Sequence, residues 1–512
     1  MTTTSSHKIT SYLAAPLALA ITLATICFTR PAQANDGGEE SLRAQYHLTP
    51  PDHWLSDPQR PIYQGGKYNL YYLYSNPNNS PGGWRHATTT DNVTFNDKGI
   101  SIPLTNGIPA WTGSTVIDEN NTAGFGSGAI IALTTQPTQG DRYQQEQYLW
   151  YSTDGGDNYI PYGEAVIKNP SHTDWFRDPK IEWDAQQSEW IAAIGMQQSI
   201  VFYTSPNLKD WTYRSKLSYT DPNIGGMECP DLYQIKASDG TWHWVLGASV
   251  QGDYSGKVNT FVYWTGTWDG TTFTRDALDP QWLDYGWDWY AAVSWPDHNQ
   301  PDTTRYAIAW MNNWEYAPHD VPTDVTDGYN GQMSIVRTLK LQAHNGAYTL
   351  LSQPVSTLDK YVSREIDLPS VTVNGNYQTN YHGNSYELDT DISWNQLENV
   401  GMQIGLSPDG TRHTDIGIFG NSTFYLNRQR SERDGYGLYP WVETHSPFDS
   451  NKRSVHLKVL VDKQSVEVFI DDGAQVHSDQ VYFTPGDNGI SFYASEGEAL
   501  FSNIVIKELK TR

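Results

Sequence analysis

The 512-residue chain carries 33 basic against 58 acidic residues, a formal charge of −25, which disfavours nucleic-acid phosphates and anionic membranes as partners and leaves a neutral ligand as the expectation. Its two cysteines exclude a disulfide framework and a cysteine zinc site once Cys27 is assigned to a leader, because Cys229 then stands alone. The length suits two domains, each stabilised by its own core.

Residues 1–34 read as a secretory signal: His7 and Lys8, an apolar run from Tyr12 to Phe28, then Ala32-Gln33-Ala34 as a small-x-small cleavage site. Cleavage near Ala34 and a secreted protein are expected, with 35–43 as a polar leader. From 44 to 352 the chain repeats. Aromatic or apolar strand cores begin near Tyr68, Ala129, Trp190, Trp242 and Tyr306, at intervals of 61, 61, 52 and 64 residues. A second marker keeps the same beat: Thr90-Asp91-Asn92 leads to Phe95, Thr153-Asp154-Gly155 to Tyr159, Ser205-Pro206-Asn207 to Trp211, and Asp269-Gly270 to Phe273. Asp, Asn and Gly supply turn conformations, and the aromatic residue opens the next strand. Repeating units of short strands, none able to bury both faces alone, predict an all-β fold: a five-bladed β-propeller around a channel.

Three acids keep step with the blades. Asp57 in HWLSDPQ, Asp178 in FRDPK and Glu228 in MECPD lie 11, 12 and 14 residues before the strand cores of blades one, three and four. Each is read as sitting in a turn beside a proline, at one channel mouth. Like charges resist being desolvated together, so gathering them costs stability and points to function. Trp111-Thr112-Gly113-Ser114 holds the corresponding place in blade two, its glycine read as letting backbone approach a ligand. Blade five carries the densest aromatic run, Trp282 to Tyr290, and Trp314 is read as a wall of the site. Most of the 20 Trp and 33 Tyr are expected in the core.

The blade markers stop near Gln353-Pro354. A linker is read over 353–364 and a C-terminal β-sandwich over 365–512, from period-two alternation in Tyr386, Leu388, Thr390 and in Val455 to Ile470 around an Asp462-Lys463-Gln464 turn. The sandwich shows no acid constellation comparable to the first and is read as a buttress rather than a carbohydrate binder. No phosphate loop, nucleophilic serine elbow or metal-spaced histidine pair occurs, so no cofactor and no metal are expected; His86 and His243 are read as structural.

Acids at the bottom of a neutral, aromatic-lined funnel suit glycosidic cleavage, in which one carboxylate attacks or activates water and a second donates a proton to the leaving oxygen. The segments WLSDPQ, WTGS, FRDPK and MECPDLY, in that order, resemble the signature blocks of glycoside hydrolase family 32, and SVEVF at 465–469 resembles a sandwich motif of that family. The resemblance implies a retaining enzyme with Asp57 as nucleophile, Glu228 as general acid/base and Asp178 as transition-state stabiliser. It also implies that Trp54, Trp111 and Ser114 line a fructose pocket. Arg177 suits either Glu228 or a sugar hydroxyl, and Cys229 is read as a space filler. Ser56 and Gln59 stand where the family usually has Asn, and Leu73 where many relatives have Gln; Ser56 and Gln59 are accordingly expected among the residues that bind the first sugar unit. The wording WLSDPQRP, QWLDYGWDWY and AWMNNW is similar to levan-acting members. The expected function is hydrolysis of the β-(2,6)-fructan levan, with levanbiose as a product. Two alternatives stand beside it, a levan fructotransferase closing a difructose dianhydride and a non-catalytic fructan-binding propeller.

Overall fold

The computed structural model describes residues 41–75, 83–105, 108–138, 141–170, 175–317, 321–431 and 440–511. The secretory reading of 1–34, and all of the polar leader except 41–43, lie outside them.

Among the described residues, five four-stranded antiparallel meanders follow one another. β1 (His53–Gln64) leads Lys67–Ser75, Trp84–Thr89 and Asn96–Ile102; β2 (Gly113–Asp118) leads Ala129–Thr138, Asp141–Ser152 and Ile160–Ile167. β3 (Arg177–Asp184) leads Glu189–Met196, Ser199–Ser205 and Thr212–Ser218, and β4 (Met227–Lys236) leads Trp242–Gln251, Asn259–Trp268 and Phe273–Arg275. The last has β5 (Tyr290–Pro296), Arg305–Trp310, Arg337–His344 and Ala347–Pro354. Each leading strand packs on the next, and β5 packs back on β1, so the five leading strands close a ring. The strand cores counted along the chain are therefore the second strands, and the Asp/Asn/Gly markers are turns between the third and fourth. Asp91 Oδ1, for instance, accepts from the amides of Val93 and Thr94 at 2.9 Å.

A meander alone leaves both faces wet, and the aromatic residues meet that need by filling the gaps between consecutive units. Tyr71 and Trp84 of the first meet Ile130 and Trp150 of the second. Phe202 of the third meets Trp264 and Trp268 of the fourth, and Tyr263 of the fourth meets Trp289 beside the fifth. Burial falls from centre to rim: β1 is buried from Leu55 to Ile62, whereas Ile160–Ile167 is mostly exposed. Along the centre, charged groups pair across strands, with Lys180 on Asp231, Arg60 on Glu182 at 3.0 Å, and the Ser294 hydroxyl donating to Asp231 at 2.5 Å. Buried charge of this kind fixes how the strands sit relative to one another rather than adding much net stability.

From Val362 the strands belong to the β-sandwich. β6 (Asn399–Leu406), β7 (Thr414–Phe419) and β8 (Thr423–Asn427) continue one layer, the hairpin of Ser454–Asp462 with β9 (Ser465–Ile470) turns at Lys463-Gln464, and the long β10 (Gly489–Leu509) pairs with β6. Alternate residues Val400, Met402, Ile404, Ile416, Phe424 and Phe492 enter its core.

The sandwich buries acids of its own. Asp462, Glu467 and Asp479 of the sandwich are all buried, but against basic partners. Glu467 accepts from Arg337 at 2.7 Å, His47 at 3.0 Å and the Ile335 amide at 3.0 Å. Arg337 also donates to Asp284 at 2.8 Å, and Arg428 to Asp288 at 2.6 Å. These acids join the sandwich to the propeller.

Candidate active site

The three acids lie on the leading strands themselves, not in turns. On β1, Leu55 and Pro58 pair with Tyr74 and Tyr72, so Ser56 and Asp57 oppose the single residue Leu73. Asp178-Pro179 on β3, Cys229-Pro230 on β4 and Ala291-Ala292 on β5 likewise each oppose one residue. These are β-bulges, which insert a residue and re-aim its side chain. Proline fits them because it has no amide hydrogen to leave unpaired. Asp178, Cys229 and Ala291 adopt positive φ of 65°, 46° and 54°, a strained conformation for residues with a Cβ that surrounding structure must hold in place.

β2 has no such bulge. A Cβ at Gly113 would stand 2.0 Å from the Leu133 carbonyl oxygen, so this glycine lets backbone approach backbone rather than ligand. It delivers Thr112, whose hydroxyl donates to Asp57 Oδ2 at 2.6 Å. Asp57 Oδ1 is buried with no hydrogen-bond partner among the described residues, and so is Trp54 Nε1.

Glu228 is held from both sides. Arg177 donates through Nε at 2.9 Å and Nη2 at 2.5 Å to Oε1, while the Tyr290 hydroxyl donates at 2.5 Å to Oε2. Arg177 is itself fixed, its guanidinium lying 4.1 Å over the Trp175 ring. Asp178 Oδ2 accepts from the Cys229 amide at 3.1 Å, and the Cys229 sulfur lies 3.6 Å from Asp178 Oδ2 and 3.9 Å from Asp57 Oδ2. Cys229 is therefore the bridge between two of the acids, not a space filler.

Burial pushes Asp57 up to about 6, with the Thr112 hydrogen bond opposing it and Glu228 adding to it. Burial also pushes Asp178 up to about 7, against the pull of Arg177 and with repulsion from Glu228 and Asp57. Burial thus favours the protonated forms of Asp57 and Asp178 into mildly acidic pH.

The remaining expected residues divide. Trp54 and Trp111 are half-buried, and Ser56 is buried within the β1 bulge. Gln59 is fully buried with both ends engaged, Nε2 donating to the Asp57 carbonyl at 2.8 Å and Oε1 accepting from the Gly113 amide at 2.7 Å. It ties β1 to β2. Ser114 ties β2 to β3 by donating to the Pro179 carbonyl and accepting from the Ile181 amide, both at 2.8 Å. Trp314 stays outside the carboxylate cluster: it is 45% exposed and edge-on to Trp310, the cross-strand neighbour of Tyr290. Thr112, Tyr290 and Trp175 were not singled out beforehand, although the first two lie inside segments that were.

The family model for the glycosyl hydrolases family 32 N-terminal domain matches residues 47–354, and that for the family 32 C terminal matches 356–508. The chain belongs to glycoside hydrolase family 32. Its relatives include a levanbiose-producing levanase of Bacillus subtilis (strain 168), 46% identical over 91% of this chain and 90% of that protein. A levanbiose-producing levanase of Geobacillus stearothermophilus is 44% identical over 77% of this chain and 100% of that protein. Among solved structures, the exo-inulinase of Aspergillus awamori superposes with a TM-score of 0.82 at 25% identity, covering 93% of this chain and 99% of that one. As a family 32 member the chain is a glycoside hydrolase, and its propeller-plus-sandwich architecture is that of its structural neighbours.

Proposed function

We propose that this family 32 enzyme is a secreted levanase that cleaves β-(2,6)-fructosyl linkages by double displacement and releases levanbiose. The observation that carries the chemistry is the unpartnered, buried Oδ1 of Asp57, beside a glutamate clamped by Arg177 and Tyr290. Identity of 46% and 44% to two levanbiose-producing levanases supports the substrate.

Thr112 occupies Oδ2 of Asp57 and so leaves Oδ1 to bond the anomeric carbon as the glycosidic C–O bond breaks. Glu228 gives its proton to the departing oxygen. Water then attacks the fructosyl ester, losing a proton to Glu228 and regenerating free Asp57. Asp178, oriented by the Cys229 amide, accepts from sugar hydroxyls and stabilises the cationic transition state.

Purified protein on levan, with inulin and sucrose as controls and products followed by chromatography with mass detection, tests the reading. Levanbiose that has gained water supports it. Levan left intact while sucrose or inulin is consumed overturns the substrate, and a disaccharide lighter by one water makes the enzyme a fructotransferase. Export is tested separately by N-terminal sequencing, which should begin just after Ala34.

A further inference from the structure

The outer face of the sandwich holds a polar hollow of about 490 Å³. Across four adjacent strands, Tyr493 of β10 pairs with Gly401 of β6, Gly401 with Gly417 of β7, and Gly417 with Tyr425 of β8. Two side-by-side glycines inside strands weaken a sheet relative to alanine. Here they make room. A Cβ at 401 or 417 would lie 2.5 or 2.4 Å from the Tyr493 hydroxyl. Both tyrosines therefore lie down across the glycine pair, and their hydroxyls meet end to end at 2.6 Å.

The rest of the lining is mostly uncharged and organised. Tyr425 donates onward to Asn399 Oδ1 at 3.0 Å, which leaves the Asn399 amide hydrogens as donors. Gln403 donates to Asp415 Oδ1 and to His413 Nε2, both at 3.1 Å, which leaves its carbonyl oxygen as an acceptor. On the opposite side of the same strands the residues are the apolar core. Flat aromatic faces bordered by amide donors and acceptors, with little net charge, match a ligand having apolar C–H faces and many hydroxyls. An ionic ligand would find Asp415 already paired and, among the described residues of the lining, Arg430 as its one fixed cation.

We propose that this hollow is a second carbohydrate site, separate from the acids, that holds a neutral fructan segment. The choice of fructan rests on the levan reading above. A polymer engaged at the sandwich has its further segments presented to the propeller at raised local concentration, which lowers KM for long chains and leaves short substrates unaffected.

The test uses the full-length protein in two arms. In a Glu228→Gln background, migration through gels containing levan is compared for the unaltered hollow, Tyr425→Ala and Gln403→Ala, with thermal unfolding confirming that each is folded. Retardation should weaken about three- to tenfold on removal of the tyrosine face and also fall for Gln403→Ala, whose truncation leaves the sheet intact. In active enzyme the same changes should raise KM for levan without altering kcat/KM on short levan oligosaccharides. Unchanged retardation and KM in both variants would overturn the second site while leaving levan hydrolysis standing. A changed sedimentation coefficient with unchanged retardation would overturn it too, by making the hollow an interface between copies of the chain. If levan is not cleaved at all, the function falls, and the gel arm still decides the hollow.

Discussion

At Asp57, reactivity and stability oppose each other. Its carboxyl is raised to about 6 in the folded protein, so folding favours the protonated form and stability declines as pH rises from the unfolded carboxyl range, near 4, through 6. Asp57→Asn should therefore abolish cleavage and raise the melting temperature at pH 7, by an amount equivalent to roughly 1–3 kcal/mol, with the gain vanishing near pH 4. Calorimetry across that range checks it; an unchanged or lower melting temperature at pH 7 would mean Asp57 is not strained by burial. Glu228→Gln acts differently, since the amide keeps the shape and loses the proton. Levan cleavage should fall by about 10²–10⁴ while binding persists. Tyr290→Phe removes one of the two clamps on Glu228 and should lower kcat about ten- to a hundredfold, the worth of one hydrogen bond to a charged group, with little change in KM. A kcat equal to wild type would assign the clamp to Arg177 alone.

At the scale of elements, the site is a property of bulged strands, and this divides what the sequence showed from what it hid. The beat of aromatic strand cores and the acid-proline pairs located Asp57, Asp178 and Glu228, because β-strand composition and turn residues are local signals. A proline beside an acid signals a turn and a bulge alike, and only pairing with Lys67–Ser75, Glu189–Met196 and Trp242–Gln251 distinguishes them. The strand-to-strand bonds of Gln59 and Ser114 are hidden for a related reason: both are good sugar-binding residue types, and which way they face depends on the neighbouring strand. Tyr290 was hidden among aromatic residues, most of which are core. Gly113 links these observations. Gly113→Ala forces β2 away from Leu133 and carries Thr112 off Asp57; displacement of a catalytic partner by an ångström costs about a hundredfold in rate. Thr112→Val, which removes only the hydroxyl, separates lost hydrogen bond from moved strand: a much smaller loss than for Gly113→Ala assigns the effect to strand position.

At the scale of the whole molecule, the sandwich is held to the propeller by a buried set of charges whose balance depends on pH. Burial alone would lower the His47 pKa, but hydrogen bonds and charges from Asp462 and Glu467 outweigh it and raise His47 to about 9. Glu467 is held below its usual range because Arg337 and His47 overcome its burial. A histidine raised from 6.5 to about 9 stabilises the fold fully below the lower value, and that contribution is lost as pH climbs through the higher one. Asp479, which burial and Asp288 push up to about 7, loses stability over a lower window, from the carboxyl range to 7, so the two effects are separable. Unfolding midpoints should therefore fall between pH 6.5 and 9, by an amount on the order of 2–3 kcal/mol. His47→Gln should start lower at pH 6 and fall less steeply through the same interval, the remaining fall coming from His456, which its hydrogen bonds to Asp389 and Asp391 also raise to about 9. Parallel curves for the two proteins would show that the histidine is neutral in the folded state and that Arg337 alone carries the charge opposite Glu467.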